Sequence, residues 1–223
     1  MTNPIALVTG TTSGLGLAAA RLLAAQGCRQ IIVTGRSLAR ARETAAQLAA
    51  ETKTEVFTPL ELELDAPASV RSALAELVKR GRPIDFLLLN AGMVPGKKRV
   101  LTEAGVEASQ APLIGHHQLT VGLLHASLLS PNARIVIAGA EPARGGVPMF
   151  SYTAARRYLQ ASEFGTEVSG QFFASAQGKF SGPMEVQRQP HLSDRASQEA
   201  AWQAVVKVSG VDDSSAAPSS VVS

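Results

Sequence analysis

Thr9-Gly10-Thr11-Thr12-Ser13-Gly14-Leu15-Gly16 follows a short apolar run, Ile5–Thr9, and opens an Ala/Leu-rich stretch of helical character. Glycines so spaced between a strand and a helix serve three purposes. Gly10 permits a tight turn, Gly14 lets the backbone approach a pyrophosphate, and Gly16 lets the helix pack close to the strand. Unpaired amides and the positive helix end then face the phosphates. The plainer alternative is an ordinary glycine-rich turn, but the strand before and the helix after favour a nucleotide site. A second apolar run ends Val33-Thr34-Gly35-Arg36-Ser37. In a dinucleotide-binding fold this tip meets the adenosine ribose, where an acid binds the 2′-hydroxyl and an arginine accommodates a 2′-phosphate. Arg36 stands at this tip and no acid does, so NADP(H) is expected over NAD(H); the alternative is a solvated arginine on a loop.

The elements that must position these residues alternate along the chain. Strands are expected at Ile5–Thr9, Gln30–Thr34, Glu55–Leu62, Ile84–Leu89 and Arg134–Ala138, and helices at Ser13–Gln26, Ser37–Glu51, Pro67–Arg80 and about Glu107–Leu129. Runs such as Ile-Ala-Leu-Val and Phe-Leu-Leu-Leu are apolar on both faces, as central parallel strands covered by helices require. The alternation predicts an α/β fold, a Rossmann-type doubly wound parallel sheet in three layers with right-handed crossovers. Asp65 is expected to cap the helix that Pro67 begins. Gly27 closes the first helix, and Ser193 or Asp194 caps a last one, anchored by Trp202, over Ser193–Val208. Breaks are expected at Pro95-Gly96, Ser130-Pro131 and Arg144–Pro148. The chain reads as a single domain over 1–211, with 151–211 atypical and a small, polar tail over 212–223 that should fray.

Composition narrows the function classes. The 223 residues include 45% hydrophobic and 17% charged, with a formal charge of +3, and mean hydropathy is +0.10, which describes a globular chain rather than a disordered one. Despite a pI near 9.3, the basic residues are scattered, the densest run being Lys97-Lys98-Arg99, and aromatics make up 4%. Nucleic acid is therefore not an expected partner. One cysteine, Cys28, excludes an intramolecular disulfide framework and a multi-cysteine metal site, and a buried inert thiol is expected. His116-His117 invites a metal reading, but adjacent helical residues point about 100° apart, so they do not face one ion. No metal is expected. The apolar runs are too short for a membrane span, and the N-terminus lacks the features of a signal peptide; a cytoplasmic location is expected.

The glycine turn at residues 9–16, together with Asn90-Ala91-Gly92 after the fourth strand and Asp65 after the third, resembles the short-chain dehydrogenase/reductase family, over about residues 4–140. The resemblance implies that Gly10, Ser13, Gly14, Leu15 and Gly16, with Thr12 in the same turn, bind the cofactor. It also implies that Asp65 contacts the adenine and that Asn90, Ala91 and Gly92 lie beside the ribose. It further implies oxidoreductase activity on a small-molecule carbonyl or alcohol substrate, and a homodimer built on the tyrosine helix and the helix before it. His116 matches a helix-packing histidine of the family.

The family's proton transfer uses an Asn/Ser/Tyr/Lys set, in which a lysine four residues after the tyrosine lowers the phenol's pKa. This chain has two tyrosines: Tyr152 is followed at that spacing by Arg156, and Tyr158 by Ser162. The fifth strand, Ile135-Val-Ile-Ala-Gly139-Ala140-Glu141, offers no serine, and Pro112 stands near the expected helix asparagine. Tyr152 and Arg156 are the candidate catalytic pair, although arginine is a fork-shaped permanent cation rather than a compact ammonium. The stretch Arg156–Trp202 resembles the end of longer bacterial reductases, in which the active tyrosine helix and a sixth strand precede it. That makes Tyr152–Arg156 alternatively the junction of an internal deletion that removed the sixth-strand region, or a tyrosine simply exposed on a helix. Two functions follow: an NADP(H)-dependent oxidoreductase of low activity, or a catalytically inactive nucleotide- or partner-binding protein on the same fold.

Overall fold

The structure is a computed structural model that describes residues 4–93, 98–102, 105–139, 151–164, 171, 173–175, 184–186 and 194–211, with the side chains of 151–154, 162, 174 and 175 outside that description. The chain runs β1 (Ile5–Val8), α1 (Gly14–Ala25), β2 (Gln30–Gly35), α2 (Leu38–Thr52), β3 (Phe57–Glu61), α3 (Pro67–Arg80), β4 (Ile84–Leu89), α4 (Ala111–His125), β5 (Leu129–Ile137), α5 (Ser151–Glu163), β6 (Phe173–Ser175), β7 (Met184–Val186) and α6 (Arg195–Ser209). The first five strands form one parallel sheet in the order β3-β2-β1-β4-β5. The order reverses between β1 and β4, which leaves a crevice at the carboxyl ends of these two strands.

Period-two alternation splits each central strand between two cores. Ile5 and Leu7 of β1 join Val70, Leu77, Leu119 and Leu123 beneath α3 and α4. Ala6 and Val8 face the other way, among Ala18, Ala19, Leu48, Ala155 and Leu159 of α1, α2 and α5. This gives the expected three layers. Alanines line the α1 side because the glycine turn draws that helix close to β1.

Several boundaries differ from expectation. Ala66, not Asp65, is the N-cap of α3, and Pro67 supplies the first turn; the Asp65 carboxyl is engaged by Glu63 instead. Ser130-Pro131 does not break the chain but lies inside β5, which begins at Leu129. A proline is tolerated there because β5 is the edge of the sheet among the described residues, and the β4–β5 register shifts between Ile84 and Phe86. Gly27 takes the positive φ of a helix terminus, and Asp194 caps α6 through Ser197. The antiparallel β6–β7 pair was not expected. The breaks at Pro95-Gly96 and Arg144–Pro148, and the tail 212–223, lie outside the described residues.

Candidate dinucleotide site

The turn between β1 and α1 takes the form its glycines require. Gly10 has φ +70°, and a Cβ there would meet the Ala91 Cα at 2.8 Å, so β1 and β4 close together only over a bare glycine. At Gly16 an added Cβ would fall 2.2 Å from the Gly10 carbonyl oxygen. Gly14 has φ +58° and open space on the side where a Cβ would stand. Thr12, Ser13 and Gly14 are exposed and Leu15 is half-buried.

Beneath the turn lies a hydroxyl network that sequence reasoning missed. The Thr9 Oγ1 accepts hydrogen bonds from the backbone amides of Asn90 (2.9 Å) and Ala91 (3.0 Å). The same hydroxyl lies 2.9 Å from the His116 Nε2 and 3.3 Å from the Leu88 carbonyl, to which it can donate. Burial holds the pKa of the His116 ring down at about 4, so the ring is neutral. The Asn90 Nδ2 donates to the Thr9 carbonyl at 3.0 Å. Thr34 accepts from the Gly10 amide (3.1 Å) and donates to the Val8 carbonyl, while Thr11 donates to the Thr34 carbonyl (2.8 Å). The turn is thereby fixed from below by β2, β4 and α4. A threonine at the end of β1 signals nothing until the partners that fold over it are known.

The helices that follow β1 and β2 begin differently. The N-cap of α1, Ser13, makes no side-chain bond to the helix, and no acid lies in its first turn. The start of α2 is closed by its own chain: Ser37 Oγ accepts from the Arg40 amide, and Glu61 Oε2 accepts from the Leu38 amide at 3.0 Å. Amides at a helix start that no side chain takes suit an external anion.

At the β2 tip Arg36 is exposed. β2 itself carries no acid there, but β3 supplies one: Glu61 is the register partner of Gly35. Beside it, desolvation and the Asp65 carboxyl raise the pKa of Glu63 to about 7, with Arg36 acting in the opposite direction. Only strand register, not spacing in the chain, brings Glu61 to this tip.

The expected catalytic pair lies partly outside the described residues. Tyr152 lies in α5, its side chain outside the described residues, and Arg156 is exposed on the same helix. Tyr158, which has no lysine four residues on, reaches the end of β4: its hydroxyl donates to Asn90 Oδ1 at 3.2 Å. Burial raises its pKa to about 12, the opposite of what a proton donor near neutral pH needs. His117 stacks edge-on against Trp202, joining α4 to α6, with centroids 4.7 Å apart. Cys28 is buried and its thiol is pushed up to about 11. Among the described residues no group of three or more metal-ligating side chains occurs, and no helix is long and apolar enough to cross a membrane.

The pattern of the short chain dehydrogenases (adh_short) matches residues 4–160. The chain belongs to the short-chain dehydrogenase/reductase family. An oxidoreductase, fscI, from Fusarium equiseti is 35% identical over 116 residues, covering 51% of this chain and 45% of that protein. The chloroplastic protochlorophyllide reductase of Cucumis sativus is 36% identical over 138 residues, covering 60% of this chain and 34% of that one. The chain thus spans a third to a half of the length of these relatives. Among solved structures, a short-chain dehydrogenase/reductase from Brucella melitensis overlays with a TM-score of 0.53 at 23% identity, covering 71% of this chain and 66% of that one; this likeness shows the fold.

Proposed function

We propose that this short-chain dehydrogenase/reductase binds NADP(H) at the β1–α1 turn and transfers hydride, at a low rate, between the nicotinamide and a carbonyl or alcohol substrate. The observation that carries the reading is the start of α1, uncapped by its own side chains beside a glycine with open space. In this reading Gly10, Thr12, Ser13, Gly14, Leu15 and Gly16 surround the phosphates, Asn90, Ala91 and Gly92 border the nicotinamide ribose, and Asp65 borders the adenine. Arg36 supports the 2′-phosphate preference. The bound dinucleotide supplies the hydride; the chain must supply a proton, for which Tyr152, beside Arg156 on α5, is the candidate. Two copies associate through α4 and α5, in keeping with the family resemblance.

A second reading, a nucleotide-binding protein without catalysis, rests on the exposure of Arg156 and the high pKa of Tyr158. Titration of NADPH fluorescence, paired with turnover on a panel of aldehydes and ketones, separates the two. Saturable binding with turnover abolished by Tyr152→Phe establishes the enzyme and its acid. Binding without turnover leaves the second reading, and the absence of binding removes both.

A further inference from the structure

We propose that Glu61 is a specificity-determining residue of the dinucleotide site, set against the 2′-phosphate that Arg36 would accept. The proposal rests on the cofactor reading above and deepens it. The parallel ladder fixes where Glu61 stands: it pairs with Gly35 at the β2 tip, and the Leu62 amide donates to the Gly35 carbonyl at 2.8 Å. From there its carboxylate takes the Leu38 amide, the first of α2, at 3.0 Å.

Two consequences follow for a ribose lying over Gly35-Arg36-Ser37. A phosphate on its 2′-oxygen is served best by Arg36 together with the amides at the start of α2. One of those amides is already taken by Glu61, and Ser37 Oγ takes the Arg40 amide. A 2′-phosphate must therefore displace a carboxylate from a helix start that favours negative charge, and must do so beside like charge. Glu63, within electrostatic reach of Glu61, Asp65 and Arg36, holds its proton up to about pH 7 and adds to that repulsion only above it. A free 2′-hydroxyl meets no such penalty and can donate to the Glu61 carboxylate. Arg36 and Glu61 thus act in opposition, and the acid that favours NAD(H) comes from β3 rather than from β2.

The test is the ratio of the NADH and NADPH dissociation constants, measured by fluorescence titration at low salt for the wild-type chain, Glu61→Gln and Glu61→Thr. Glu61 is exposed and caps α2 only through the Leu38 amide, so both variants should fold with a melting temperature lowered by no more than a few degrees. Removing the charge is expected to move the ratio toward NADPH by about threefold or more, and the shift should shrink in high salt. Glu199→Gln, which removes an equal charge from α6, should leave the ratio unchanged. Ratios that coincide in the wild-type chain and both Glu61 variants overturn the proposal, as does an equal shift in Glu199→Gln. A wild-type chain that binds neither dinucleotide refutes the cofactor reading itself, an outcome distinct from a ratio that does not move.

Discussion

Gly16 has no room for a side chain, because a methyl group there would meet the Gly10 carbonyl oxygen at 2.2 Å and the Asn90 Nδ2 at 2.6 Å. Both neighbours are held by their own hydrogen bonds, so relief must come from moving α1 away from β1. Gly16→Ala should therefore cost about 1–3 kcal/mol, read by urea denaturation, and should abolish NADPH binding in the fluorescence titration. A variant that binds NADPH as well as the wild-type chain would show that the helix start is not where the phosphates sit. Tyr158 poses a different question. Its hydroxyl serves Asn90 Oδ1, so Tyr158→Phe should cost about 1 kcal/mol while leaving turnover intact. Loss of turnover at unchanged stability would instead make Tyr158 the proton donor. At Arg36, the opposing carboxylates from β3 and beyond reduce the advantage of its charge; Arg36→Asp should shift preference toward NAD(H), measured as the ratio of dissociation constants.

Between elements, the bond from Thr9 to His116 ties the end of β1 to α4 and makes their contact sensitive to acid. His116 stays neutral in the fold down to about pH 4, against an ordinary value of 6.5. Between those values the unfolded chain takes up a proton that the native ring refuses, so stability is full above pH 6.5 and falls as the pH drops toward 4. The gap corresponds to about 3 kcal/mol. Glu63 runs the other way: its carboxyl, raised from 4.5 to about 7, holds its proton longer in the fold, and its contribution falls as the pH rises through that range. The histidine is isolated by comparison with His116→Asn: denaturation of the two proteins between pH 4 and 7 should show a steeper acid loss in the wild-type chain. Equal slopes would mean that His116 titrates normally.

At the scale of the molecule, the sheet among the described residues ends at β5, where Ile135 is 41% and Ile137 64% exposed. An edge this apolar is unusual for a parallel sheet, whose strands are ordinarily covered on both faces. Both strands that shape the crevice, β1 and β4, lie inward of that edge. Association is expected on the helices instead. α4 exposes Leu113 and Leu124, although α6 already packs on it through Trp202 and His117. Light scattering should give twice the 23.2 kDa chain mass, reduced to the monomer by Leu124→Glu. A monomeric wild-type chain across the micromolar range would remove the proposed dimer.

The residues alone determined the alternation of strands and helices, the three layers and the glycine turn, because local propensity, two-sided apolar runs and positive-φ glycines act over a few neighbouring positions. They also determined the family, through Gly10, Gly14, Gly16 and the Asn90-Ala91-Gly92 segment. Tertiary structure decided what depends on register and on groups far apart in the chain. Glu61 reaches the β2 tip only because it pairs with Gly35. Asp65 meets Glu63 rather than capping α3. Tyr158 finds Asn90 across 68 positions, and Pro131 is tolerated because its strand is the edge of the sheet among the described residues. A spacing pattern carries no information about which side chains a fold will bring within 3 Å of one another, and it is at such distances that charge and hydrogen bonding select a ligand.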